Sequence, residues 1–217
     1  MQNEETSAPG APLSSVSPEP AAAPTRKRPK PGERRVQILQ ALASMLEQPG
    51  AERVTTAALA ARLEVSEAAL YRHFASKAQM FEGLIDFIEQ SVFTLINQIT
   101  DRSAPGQEQA ARIIAMLVQF AEKNPGMTRV MVGDALVYEN ERLQNRMNQF
   151  FDKVEATLRQ ALRGAAAAEG SATPSVDAQV RASALAAFLV GRLQRFARSG
   201  FRRQPSEHLE AAVALML

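Results

Sequence analysis

The residues with the most pointed chemistry lie between Thr55 and Phe74, where the chain reads Thr-Thr-Ala-Ala-Leu-Ala-Ala-Arg-Leu-Glu-Val-Ser-Glu-Ala-Ala-Leu-Tyr-Arg-His-Phe. This predicts two short helices joined by a tight turn at Glu64-Val65. Thr55 or Thr56 suits the N-cap of the first helix and Ser66 that of the second, since each hydroxyl can accept from the free N–H groups of a first turn. Leu59, Ala60 and Leu63 face inward from the first helix, and its alanines allow close approach. The second helix is expected to run to about Phe74, with Val65, Leu70 and Phe74 pinning the pair to a core. Two short helices around a turn of three to four residues form a helix-turn-helix, whose second helix enters the major groove of double-stranded DNA.

Roles follow from position. Ser66, Glu67 and Ala68 form the first turn of the second helix and point toward base edges. Ala68 is small enough to meet a thymine methyl, and Glu67 can accept from a cytosine amine. Tyr71, Arg72 and His73 lie a turn further on, within reach of phosphates or groove edges. Thr55 and Thr56 open the first helix and Lys77 opens the long helix that follows, so these can meet phosphates with help from helix N-terminal N–H groups. Plainer roles also fit: Glu67 complementing a helix dipole, Tyr71 half-buried in packing, His73 on the surface.

Other chemistries find little support. The 217 residues contain no Cys and two His, His73 and His208, far apart in sequence, so thiolate chemistry is excluded and no metal site or other cofactor is expected. No Gly-rich phosphate loop or nucleophile elbow is present, so an enzyme is not expected. No apolar run approaches the ~20 residues of a membrane span. The N-terminus lacks the charged-then-apolar order of a secretory signal, so a cytoplasmic protein with no membrane partner is expected. Net charge is +2, but from Arg26 to Met80 ten Lys/Arg stand against five Glu, an excess of five that suits a polyanion.

These residues need a scaffold, and the apolar period is helical nearly throughout. Residues 1–31 read as a disordered Pro/Ala-rich tail ending in the basic run Arg26 to Pro31, either an arm lying along phosphates or a solvated charge run. Residues 32–76 read as a three-helix DNA-binding domain, its first helix carrying Val36, Leu39, Ala43 and Leu46 on one stripe, with Ile38, Leu42 and Met45 beside it, and stopping at Pro49-Gly50. Residues 77–217 read as an α-helical regulatory and dimerisation domain. Its helices are expected over Lys77 to about Thr100 (Phe81, Leu84, Ile85, Ile88, Val92, Leu95 and Ile99 inward), 107–123, around 127–132, 139–163, 176 to about 198, and 206–217. The stretch 164–175 reads as a loop. The fold class is all-α.

Thr55-Thr56-Ala-x-Leu-Ala followed by Val65-Ser66-x-Ala-Ala-Leu-Tyr71-Arg72-His73-Phe74-x-Ser-Lys77 resembles the DNA-binding domain of TetR-type regulators. Glu64 departs from the pattern, since many members carry Gly there, and a left-handed backbone would strain it. From roughly Arg34 to Pro205 the chain further resembles one division-regulating branch of that family, on stretches such as Met80-Phe81-x-x-Leu84-Ile85-x-Phe87-Ile88-Glu89, Asn124-Pro125-Gly126-x-Thr128-Arg129 and Arg142-Leu143-Gln144-x-Arg146-x-Asn148-Gln149. The resemblance implies a nucleoid-associated homodimer on palindromic DNA that binds the C-terminal tail of the tubulin-like division protein FtsZ and antagonises Z-ring assembly over the nucleoid. It implies that the tail lies between the fourth and fifth helices, against Phe87, Leu117, Phe120, Lys123 and Asn124. Lys123 replaces an Arg there, and Leu95 stands where an Arg is found. Phe87, Leu117 and Phe120 also fall at core spacing.

The resemblance also implies that the last two helices pair across a two-fold axis as a four-helix bundle, through Ala182, Leu185, Ala186, Leu189, Leu193 and Phe196, then Leu209, Val213 and Met216. The same residues could instead cover their own core. The alternative function is a ligand-responsive TetR-type repressor, which needs an enclosed pocket with convergent polar groups; Asn148 and Gln149 are the expected lining.

Overall fold

The computed structural model describes residues 32–48 and 54–217. The tail over 1–31, its basic arm and the stop at Pro49-Gly50 lie outside these. Every regular element among the described residues is helical: α1 (Glu33–Leu46), α2 (Thr56–Arg62), α3 (Glu67–Tyr71), α4 (Lys77–Arg102), α5 (Gln107–Lys123), α6 (Pro125–Met131), a 3-10 turn (Asp134–Leu136), α7 (Glu141–Ala168), α8 (Pro174–Arg198) and α9 (Leu209–Ala214). None of these helices is long and apolar enough to cross a membrane.

In α1 the buried row is Ile38, Leu42 and Leu46 with Ala43 beside it, while Val36 is 46% exposed. The expected stripe through Val36 is thus rotated. The i, i+4 row of larger side chains faces α4 and α6, both of which pack on α1. On α4 the buried row is Met80, Phe81, Leu84, Ile85, Ile88, Val92 and Ile96. Leu95 and Ile99, expected inward, are half-buried at the edge of a cleft, and Ile96 takes the core position instead.

Asn124-Pro125-Gly126 ends α5 and also begins α6. Pro125 occupies the first turn of α6, where a missing N–H costs nothing. The expected loop over 164–175 is largely helix: α7 continues through Gly164 to Ala168, and α8 already starts at Pro174. One glycine costs about 1 kcal/mol inside a helix, and the alanine run 165–168, with Ala166 buried, outweighs it. The last helix is shorter than expected. It covers Leu209–Ala214 and buries Val213 where α9 packs on α5.

α7 and α8 form an extended antiparallel pair, the largest helix–helix contact among the described residues. One contiguous apolar core runs from Ile38 in α1 to Val213 in α9, so packing is unbroken across the expected boundary at residue 76. α1 and α6 approach each other closely. A Cβ on Gly126 would stand 1.9 Å from the backbone oxygen of Ala43. Arg129 of α6 donates to the carbonyl of Leu46 at the end of α1 (3.3 Å).

Because the clash at Gly126 is with backbone, Gly126→Ala should push α1 from α6 and lower unfolding free energy by about 3 kcal/mol, at the upper end of overpacking costs. Urea denaturation followed by circular dichroism checks this, and an unchanged midpoint would mean that the two helices are not in contact.

A candidate DNA interface and a groove between α4 and α5

The two short helices are positioned by their caps. Thr55 Oγ1 accepts from the backbone N–H of Ala58 (3.2 Å), and Ser66 Oγ from that of Ala69 (3.3 Å). Between them the chain reverses in a Schellman arrangement: Val65 N–H bonds to Ala60 O (3.0 Å) and Glu64 N–H to Ala61 O (3.1 Å). This puts Glu64 at φ +54°, the left-handed conformation in which a non-glycine residue costs roughly 1 kcal/mol. Thr56 Oγ1 donates to the Glu67 carboxylate (2.6 Å), which ties the start of α2 to the start of α3.

α3 ends at Tyr71, earlier than the expected Phe74. Arg72 caps it, and the chain turns so that Phe74 enters the core. Its outward surface carries Ser66, Glu67, Ala68, Tyr71 and Arg72, all exposed; His73 is half-buried and Leu70 faces the core. Arg35 of α1 lies over the Phe74 ring, 4.1 Å from its centroid, and its guanidinium donates to the His73 carbonyl. Lys77 starts α4 as expected, but its amine is ion-paired with Glu139 ahead of α7. At the start of α4, Ser76 Oγ accepts from Gln79 N–H (3.2 Å), and the Gln79 side chain accepts from Ala75 N–H (2.8 Å).

The second set of residues divides between surface and core. Phe87 is 42% exposed, Phe120 is half-buried, and Lys123 is exposed with no ion pair among the described residues. Asn124 donates from its side chain to the Phe120 carbonyl (2.7 Å), which closes the last turn of α5. Leu117 does not belong to this surface. It is 0% exposed, because its position on α5 turns it to the core beside Ile113 and Ile114. Further along the same two helices, Leu95, Gln98, Ile99 and Arg102 of α4 and Arg112 and Met116 of α5 line an open cleft of about 260 Å³. Met116 escaped the sequence reading; a large apolar residue outside the Ile113–Ile114–Leu117–Val118 core stripe of α5 would have been the signal.

Comparison with known proteins places these features. Residues 38–84 match bacterial regulatory proteins of the tetR family, and residues 108–217 match the SlmA-like family described as tetracyclin repressor-like, C-terminal domain. Curated relatives named nucleoid occlusion factor SlmA include that of Vibrio vulnificus, 50% identical over 86% of this chain and 95% of the relative. Those of Photobacterium profundum (50% identical, 83% and 92%) and Idiomarina loihiensis (49%, 84% and 93%) are similar. The chain belongs to the SlmA family of nucleoid occlusion factors.

Solved structures show the same fold at low identity. The fatty acid degradation regulator FadR from Bacillus halodurans superposes with a TM-score of 0.70 at 13% identity, over 87% of this chain and 97% of that one. FadR from Bacillus subtilis, in complex with stearoyl-CoA, gives 0.66 at 14%, over 83% and 96%. The SlmA relatives are thus alike along nearly their whole length, whereas the FadR structures share the helical frame alone.

Within that frame most residues expected to pair across a two-fold axis are buried in the chain's own core, Val213 among them, while Leu209 and Met216 are half-buried against it. Ala182, Leu185, Ala186, Leu189, Leu193 and Phe196 are buried inside the chain, where α8 packs on α7 and α5. The outward face of α8 carries Val176 (58% exposed) and Val180 (63%), then Ala184 and Ala187. Across α4 and α7, Arg142 pairs with Glu82 (2.7 Å) and Arg146 with Asp86 (2.8 Å) and Glu89 (2.6 Å). Burial opposes the charge on Arg146, but hydrogen bonds and Coulombic attraction from Asp86 and Glu89 prevail and raise its pKa above the ordinary value.

Ser66 caps α3 with its side chain, so Ser66→Ala should cost about 1 kcal/mol of stability. Thermal melts monitored by circular dichroism measure this, and a loss below a few tenths would show that α3 is held by packing alone.

Proposed function

We propose that this protein binds palindromic chromosomal DNA as a homodimer and, so bound, captures the C-terminal tail of FtsZ in the α4–α5 groove and antagonises Z-ring assembly. The observation that carries the reading is half identity to nucleoid occlusion factors over nearly their full length, together with an apolar cleft remote from α3. Shared fold alone would leave any TetR-type function open.

On the DNA side, α3 enters the major groove. Ser66, Glu67 and Ala68 face base edges, while Thr55, Thr56, Tyr71, Arg72 and His73 address the backbone or groove edges. Glu67 keeps its bond to Thr56 and reads a base with its remaining lone pairs. Lys77 contributes through its place at the start of α4, and its amine reaches a phosphate only on leaving Glu139. Palindromic half-sites require two copies related by a two-fold axis, and the exposed small-residue face of α8 is the surface on which they pair.

On the partner side, Phe87, Phe120, Leu95, Ile99 and Met116 supply an apolar floor, and Lys123 and Arg102 supply positive flanks, whereas Arg112 is ion-paired with Glu108. Such a groove suits an amphipathic peptide with acidic residues. The second reading, a ligand-responsive repressor, draws on the FadR structures, one of them bound to stearoyl-CoA. It needs polar groups aimed into the interior, and Asn148 and Gln149 do not supply them: both are exposed on α7. The buried polar side chains Gln109 and Thr128 are engaged by the backbone, at Ser103 O (2.8 Å) and Ala121 O (2.9 Å).

The test is fluorescence anisotropy of a labelled FtsZ C-terminal peptide against the full chain, with and without a palindromic duplex that the protein selects from a random library. Binding strengthened by the duplex is expected; absence of binding in both conditions would favour the ligand-responsive reading. Met116→Glu should weaken peptide binding tenfold or more and leave duplex affinity unchanged, and equal loss of both would mark Met116 as structural. Arg72→Ala should lower duplex affinity and make it less steeply dependent on salt, at roughly 0.9 in the log–log slope per lost phosphate contact.

A further inference from the structure

The C-terminal end of α8 and the turn after it hold a concentration of charge that neither site uses. Between Arg192 and His208 there are five arginines (192, 195, 198, 202 and 203) and one acidic residue, Glu207. Arg192, Arg195 and Arg203 line a shallow basin of about 340 Å³, with Gln204, Glu207 and His208 on its rim. Arg192 is fixed as one wall, over the Phe188 ring (4.8 Å) and donating to the Glu207 carbonyl (2.7 Å). Arg195 and Arg203 are exposed and make no ion pair among the described residues.

The turn that brings Arg203 to Arg195 is built at a cost. α8 ends at Arg198 with Ser199 as its cap; Gly200 then takes φ +63°, and Phe201 follows in the same left-handed conformation. A phenylalanine there is strained by roughly 1 kcal/mol, and edge-on packing of its ring against Phe196 (5.2 Å) offsets this. Ser199 Oγ then accepts from the N–H groups of Arg202 (3.1 Å) and Arg203 (2.9 Å). A non-glycine residue held left-handed by its surroundings invites a search for function.

The basin lies at the DNA-binding end of the regulatory helices. Gln194, Ala197 and Arg198 of α8 share a cleft with Val132, Gly133 and Asp134, immediately after α6, and α6 packs on α1. Guanidinium groups are planar, permanently charged forks matched to phosphate oxygens. Resting on the DNA-binding reading above, we propose that the Arg192–Arg195–Arg203 basin is a second, sequence-independent contact for DNA phosphates, additional to the helix-turn-helix. It adds affinity and salt sensitivity without adding base preference.

The test compares the full-length protein with R195A/R203A, and with R195K/R203K, which keeps the charge. Each is titrated over a range of salt concentrations with the selected palindrome flanked by ten base pairs on each side, and with a scrambled duplex of equal length. Two arginines in each of two subunits should lower the log–log salt slope by about 3 to 4 for the alanine variant, at roughly 0.9 per phosphate. Affinity near physiological salt should fall tenfold or more on both duplexes, with the palindrome-to-scramble ratio unchanged; the lysine variant should keep most of the slope. Unchanged slope and affinity in the alanine variant, with its melting curve intact, would overturn the proposal. So would loss of FtsZ-peptide binding at unchanged DNA affinity, which would make the basin a site for an acidic peptide. Failure of the unaltered protein to prefer any duplex would instead sink the DNA-binding reading.

Discussion

The approach of α6 to α1 at Gly126 governs how the rest of the molecule is arranged. No side chain fits between Gly126 and the Ala43 carbonyl, so the two backbones meet directly. The contact is anchored on both sides. Thr128 is wholly buried and bonded to Ala121 O and Asn124 O, and Arg129 closes the end of α1 through Leu46 O. α6 in turn touches α4, α5 and α8. The short DNA-reading helices add little core of their own, so α1 is their main link to the larger body, and α6 fixes α1. A dimer that must set two copies of α3 at a defined spacing needs this rigidity, since a loose joint would blur the half-site separation.

α4 is the element shared by everything else. It contributes to three surfaces: Met80, Phe81 and Ile85 to the core, Glu82, Asp86 and Glu89 to the ion pairs with α7, and Leu95 and Ile99 to the cleft with α5. A helix of 26 residues with faces this distinct cannot rotate about its axis without breaking one of them. The pairs on its α7 side are half-exposed and individually modest. Arg146 differs from the others because it holds two carboxylates at once, and its charged form is favoured in spite of partial burial. It locks the register of α4 against α7, and with it the side of α4 that faces α5.

Much of this was legible in the sequence, for identifiable reasons. Ser66 and Thr55 cap where a hydroxyl precedes an apolar period, and Glu64 adopts the left-handed turn that its place between two short helices demands. What failed had more than one physical solution. The alanine-rich run after Arg163 has a loop-like density of small residues and also a high helix propensity, and burial of Ala166 decided it. Val36 lost to the neighbouring Ile38–Leu42–Leu46 row because two contacts, with α4 and α6, set the rotation of α1. Leu117 and the α8 leucines sit at spacings that serve core and interface equally, and only the position of neighbouring helices separates the two. Whether Lys77 is free depends on Glu139, sixty-two residues away, a pairing that no local pattern announces.

The layout keeps the two proposed recognition sites apart in one small chain. At 1.5 Å rise per residue, Phe87 lies about 15 Å along α4 from Lys77, and Leu95, which shares a cleft with Met116, lies another two turns on. Sites this far apart, with no shared side chain, respond to substitution nearly independently. Any influence of DNA on the groove must therefore pass through rigid elements, and few connect the two ends. α4 is one, and it joins the helix-turn-helix directly to the groove. The Lys77–Glu139 pair is another, linking the first turn of α4 to the segment that leads into α7. A phosphate near the start of α4 would compete with Glu139 for the same amine, so on the proposed DNA-bound reading the seating of α7 on α4 would be coupled to DNA through one lysine.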